Sequence, residues 1–128
     1  MTPKKLSRIA ALPLGLAALA LGLAACSAAP AAAGSTEVSA DAIILDVRTA
    51  DEYAGGHLDG AQLLDFNGGD VAAAIPSLDP DAEYLVYCRS GNRSGQAIAL
   101  MEQAGFSNLT NLGSLEQAAS TTGIQIVS

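Results

Sequence analysis

The chemistry this chain can do centres on Cys88. Glu83-Tyr84-Leu85-Val86-Tyr87-Cys88 reads as a buried strand, and Arg89-Ser90-Gly91-Asn92-Arg93-Ser94 leads from its end into a helical pattern. In an open α/β sheet, ligands bind beyond the carboxyl ends of strands. A loop entering a helix also turns unpaired backbone N–H groups inward, which favours an anion and lowers the pKa of a cysteine among them. Gly91 lets the backbone wrap without a Cβ clash. Such a thiol suits nucleophilic, covalent group transfer; a buried structural thiol is the plainer alternative.

The charge distribution supports a nucleophile that meets an anion. From Cys26 onward the chain has three arginines against 13 acidic residues, a net charge of −10, whereas the whole chain carries −7. A domain that acidic excludes binding of nucleic acid or anionic lipid through its surface field. Yet two of those arginines, Arg89 and Arg93, lie within six residues of Cys88. His57 is the only histidine, so no histidine-rich metal site can form.

The first 26 residues have a different character. Lys4, Lys5 and Arg8 precede an apolar run from Ile9 to Ala25, broken by Pro13, Gly15 and Gly22, and the run ends in small residues before Cys26. That order is the order of a secretory signal, and the run is too short and irregular for a permanent span. Leu23-Ala24-Ala25-Cys26 resembles the lipobox of bacterial lipoproteins, which implies cleavage before Cys26, acylation of its sulfur and attachment to the extracytoplasmic face of a membrane. Residues 1–25 are thus expected to be a signal peptide and residues 26–37 a lipidated cysteine with an Ala/Ser/Pro spacer. Residues 38–128 form the folded domain. With Cys26 acylated, Cys88 has no disulfide partner and stands as a reactive thiol in an oxidising compartment.

The remaining elements must position Cys88. Ala42-Ile43-Ile44-Leu45-Asp46 predicts a second buried strand, and weaker strand signals fall at Ala61 to Leu64, Asn108 to Asn111 and Ile124 to Val127. Thr49-Ala50-Asp51-Glu52 and Ser114-Leu115-Glu116-Gln117 have capping-box spacing and open helices closed by Gly55-Gly56 and Gly123. Val71 to Ile75 predicts a short helix stopped by Pro76, and Ala97, Leu100, Met101 and Ala104 form one helical face ending at Gly105. Alternating strands and helices predict an α/β domain: a small, mainly parallel sheet of about five strands with helices on both faces.

Cys-Arg-Ser-Gly-Asn-Arg-Ser at 88–94 resembles the active-site loop of the rhodanese family of sulfurtransferases. Leu45-Asp46-Val47-Arg48 followed by Glu52-Tyr53, and Gly56-His57-Leu58-Asp59-Gly60-Ala61, agree with that family in order and spacing. The resemblance implies a rhodanese-like fold. It also implies that Cys88 takes the outer sulfur of thiosulfate or a polysulfide as a persulfide and passes it to a thiol, cyanide or a redox protein, with no metal or organic cofactor. Arg89, Ser90, Gly91, Asn92, Arg93 and Ser94 would form the substrate cradle, with Arg93 holding the sulfonate end most favourably if its fork is bidentate. A persulfide carrier serving a partner protein is the alternative. The same loop occurs in a phosphatase branch whose arginine lies one position further on, so the shorter loop favours sulfur over phosphate. A monomer is sufficient for either role.

Asp46 and Arg48 are weaker site candidates. Arg48 would steer the anion or, more simply, pair with Asp46, Asp51 or Glu52. In the family the segments around Asp46 and His57 are chiefly architectural. The tryptophan common in the family's last helix is absent, and Gln125 replaces the usual proline of the closing strand. Both changes put the packing around the last helix in question.

Overall fold

The computed structural model describes residues 37–128. The expected leader, Cys26 and nearly all of the spacer lie outside these residues. In chain order the elements are β1 (Ile43–Asp46), α1 (Ala50–Ala54), β2 (His57–Leu58), β3 (Gln62–Leu63), α2 (Asp70–Ala74), β4 (Tyr84–Tyr87), α3 (Asn92–Gln103), β5 (Leu109–Gly113), α4 (Leu115–Thr122) and β6 (Ile126–Val127). A single 3₁₀ turn, Ile75–Ser77, contains Pro76 and continues α2.

Four strands form a parallel sheet in the order β3-β1-β4-β5, and β4 registers Ile44 on Leu85 and Asp46 on Tyr87. Side chains alternate across it with period two. Leu45, Val47, Tyr84, Val86 and Cys88 face one way and pack with Val71, Ala97, Met101 and Phe106. Ile44, Leu85 and Tyr87 face the other way and pack with Leu58, Leu112 and Ala118. A strand covered by helices on both faces needs apolar residues at every position, which is why the two strong strands read as continuous runs.

The mainly parallel central sheet covered by helices is as expected; it holds four strands, and the last strand lies apart from it. Ile126 and Val127 pair antiparallel with Leu58 and His57 in a separate two-stranded ribbon. Gly123 caps α4 at φ +71 and turns the chain back. Because α4 packs on β2, the returning chain meets β2 before any edge of the main sheet. The Gln125 carbonyl accepts the Asp59 N–H at 2.9 Å, a bond proline makes equally well. Both capping boxes form as expected, Thr49 with Glu52 and Ser114 with Gln117.

Candidate active site

Two strands and one helix hold Cys88 in place. It follows β4 directly, its N–H donates to the Gly113 carbonyl of β5 at 3.0 Å, and the preceding Tyr87 carbonyl accepts the Val47 N–H at 3.1 Å. The chain then turns through Gly91, at φ +89, into α3. A Cβ at Gly91 would lie 3.3 Å from the Gly113 Cα, so the turn needs glycine both for its conformation and for space.

The turn aims donors at the sulfur. The Gly91 N–H lies 3.0 Å and the Ser94 hydroxyl 3.4 Å from Cys88 Sγ. Cys88 has no solvent-exposed surface, and burial alone would push its thiol up. The Ser94 hydroxyl and the N–H groups of Ser94, Ser90 and Gly91 outweigh that penalty and bring it down to about 7. Much of the thiol is therefore ionised near neutral pH without a histidine base.

The arginines divide into three environments. Arg89 lies exposed and makes no ion pair with any described residue. Arg93 turns its fork to Glu52. Its two terminal nitrogens sit 2.8 and 2.9 Å from the two Glu52 carboxylate oxygens, and Asp65 adds a second negative field. The Arg93 hydrogen bonds are the largest reason that Glu52 is held down to about 2. The same carboxylate accepts the Thr49 N–H of the capping box at 2.9 Å, so one side chain joins the start of α1 to the first turn of α3.

Arg48 and Asp46 do not join the loop. The Asp46 carboxylate accepts the Arg48 Nε–H at 2.9 Å and Nη2–H at 2.6 Å, and the Tyr87 hydroxyl donates to it at 2.8 Å. Arg48 also donates to the Gly56 carbonyl, and its guanidinium lies 5.5 Å from the centre of the Tyr87 ring. Alternation along the sheet explains the placement: Asp46 and Tyr87 turn toward α4, whereas Cys88 turns toward α3. The pair is buried architecture, with the simpler of the two roles considered for Arg48. His57 is structural as well, stacked on Tyr53 at 3.7 Å with Nδ1 2.9 Å from the Tyr53 carbonyl oxygen. Ser90 and Asn92 are exposed at the loop's rim, and Asn92 accepts from the Gln96 side-chain amide at 2.7 Å.

Two contributors were absent from the sequence-derived site. Glu52 was visible as part of a capping box, and nothing in its spacing showed the second partner. Asn111, on β5, bonds both to the Gly91 carbonyl and to the Ser94 hydroxyl, at 3.0 and 2.8 Å. Beside it, a groove of about 760 Å³ runs between the loop and α4, lined by Ser90, Gly91, Glu116, Gln117 and Thr121 among others. Ala118 is the only fully buried residue of α4, and the helix presents Glu116, Gln117, Ser120 and Thr121 to the groove.

Known proteins resemble this chain in sequence and in fold. The family model for the rhodanese-like domain matches residues 29–120. The thiosulfate sulfurtransferase GlpE of Pseudomonas entomophila is 41% identical over 71 residues, covering 56% of this chain and 63% of that protein. The chain thus spans slightly under two thirds of the length of such a curated relative. Among solved structures, a rhodanese with anions from E. coli superposes with a TM-score of 0.57 at 26% identity, covering 68% of this chain and 98% of that one. The rhodanese-like domain of an Anabaena protein, Alr3790, gives 0.60 at 27% identity over 71% of this chain and 91% of that one. That family model spans well over half of the chain, and the chain belongs to the rhodanese-like domain family.

Proposed function

We propose that the domain is a sulfurtransferase acting through a persulfide on Cys88. The observation that carries this reading is the ring of donors around Sγ, which holds the thiolate near neutral pH. The thiolate attacks the outer sulfur of thiosulfate or a polysulfide. A bond forms between Sγ and that sulfur, the donor's S–S bond breaks, and sulfite or the shortened chain leaves with the electron pair. A thiolate or cyanide then attacks the outer sulfur of the persulfide, and the Cys88 thiolate leaves. Arg89, which has no ion pair among the described residues, supplies the free positive charge for the donor, while Arg93 shares its own with Glu52. Because Sγ is buried, the loop opens for the donor to reach it.

The carrier reading has an observation of its own: the paired Arg93 and the buried sulfur both weaken capture of a small free anion. Thiocyanate production from thiosulfate and cyanide, measured on wild type and on Cys88→Ser, tests the assignment. Turnover that needs Cys88 supports the enzyme; turnover that appears only with a partner protein supports the carrier; equal turnover in both proteins defeats the assignment.

The reading extends to location. The lipobox-like Leu23-Ala24-Ala25-Cys26 supports a lipid anchor on the extracytoplasmic face, with the spacer as tether. Labelling of cells with a palmitate analogue tests it: label on wild type and none on Cys26→Ser is expected, whereas equal label on both contradicts the anchor.

A further inference from the structure

We infer that Asn111 is a positioning residue that competes with Cys88 for the single Ser94 hydroxyl proton and thereby sets how firmly the thiolate is held. A serine hydroxyl carries one proton. Ser94 Oγ lies 2.8 Å from Asn111 Oδ1 and 3.4 Å from Cys88 Sγ, so two acceptors face one donor.

The amide orientation is fixed by its other neighbours. Nδ2 donates to the Gly91 carbonyl at 3.0 Å, and Oδ1 accepts the Gly113 N–H at 3.0 Å. Turning the amide over would set oxygen against a carbonyl and NH₂ against an N–H. An acceptor therefore faces Ser94. Oδ1 keeps the Gly113 bond when the hydroxyl swings away, which makes the exchange inexpensive.

The exchange follows the state of the sulfur. A protonated thiol is a weak acceptor, so the Ser94 proton stays on Asn111. A thiolate is a charged acceptor and draws the proton to itself. Asn111 thus keeps the thiolate from being overstabilised, and a thiolate with a lower pKa is a weaker nucleophile.

The other charges around Cys88 are Arg93 on α3, paired with Glu52 of α1 and flanked by Asp65, and Arg89 on the loop. The Asp46–Arg48 pair lies on the adjoining strand, β5 contributes none, and Glu116 of α4 lines the groove that Asn111 shares. Replacing Asn111 or Ser94 by alanine alters none of these charges.

The catalytic consequence rests on the sulfur-transfer reading, but the titration does not, so the two fail separately. The test is the Cys88 pKa, read from thiolate absorbance and from alkylation rate against pH in the reduced protein. Asn111→Ala is expected to lower it by about half a unit to one unit, the effect of losing one neutral hydrogen bond from the thiol state alone. Ser94→Ala raises it, and Asn111→Ala added to Ser94→Ala leaves it where Ser94→Ala put it. Asn111→Asp, which keeps the acceptor and adds a charge, moves it up. The inference is overturned if Asn111→Ala raises the pKa, or shifts it equally with and without Ser94, as loosening of the loop would do. If Asn111→Ala does not fold, Asn111→Asp decides: an unchanged or lowered pKa in that variant overturns it.

Discussion

Replacing Glu52 by glutamine separates the two roles of this side chain. Glutamine serves a capping box as well as glutamate, so α1 should still form. The charge facing Arg93 disappears. Glu52 lies at about 2 in the folded protein against an ordinary 4.5, chiefly because Arg93 donates to it. That difference corresponds to about 3 kcal/mol, and with a quarter of the side chain exposed, solvent screening reduces it to about 1–2 kcal/mol. Because the folded value is the lower one, the unfolded chain binds more protons between pH 4.5 and 2. The stabilisation is therefore complete above that window and is lost as pH falls through it. Urea unfolding followed by far-UV circular dichroism, suitable for a chain without tryptophan, should find Glu52→Gln less stable by about 1–2 kcal/mol at pH 7. The two proteins should converge towards pH 2. With Arg93 released, the KM for thiosulfate should fall about threefold to fivefold, the equivalent of about 1 kcal/mol. Parallel stability curves down to pH 2, or an unchanged KM, would refute the view that Glu52 both anchors the loop and restrains its arginine.

Three further outcomes are expected. The alkylation rate of Cys88 should rise with a midpoint near 7, where a free cysteine gives about 8.5; iodoacetamide kinetics across that range check it. Asp46→Asn leaves Arg48 buried without its counter-charge and should destabilise the domain by about 3 kcal/mol, visible as a lower Tm, with partial recovery on adding Arg48→Met. Gly91→Ala places a side chain at φ +89, at a cost of about 1–2 kcal/mol. By displacing the N–H that bonds Sγ, it should also raise the Cys88 pKa in the same alkylation assay.

The main sheet and the turn that follows Cys88 were legible because each has a local signal. Two doubly covered strands show as apolar runs, both capping boxes show as four-residue patterns, and the cysteine-to-arginine spacing lies within one turn. β6 had a weak strand signal at Ile124 to Val127, but the two residues of β2 and their pairing with β6 were not legible, because that contact joins residues far apart in the chain. The partners of the site residues were hidden for the same reason: Glu52 meets Arg93 across 41 positions and Asn111 meets Ser94 across 17. Such contacts depend on how α1 and β5 flank β4, and nothing in the spacing of the residues announces them. The bidentate pairing of Arg93 with Glu52 is one such contact.

The most direct test of sulfur transfer is the mass of the reduced domain after incubation with thiosulfate and removal of excess donor. Wild type should gain the mass of one sulfur atom, lose it on addition of cyanide, and yield an equivalent of thiocyanate, while Cys88→Ser should gain nothing. An unmodified wild type, or the same gain on Cys88→Ser, would contradict a persulfide on Cys88.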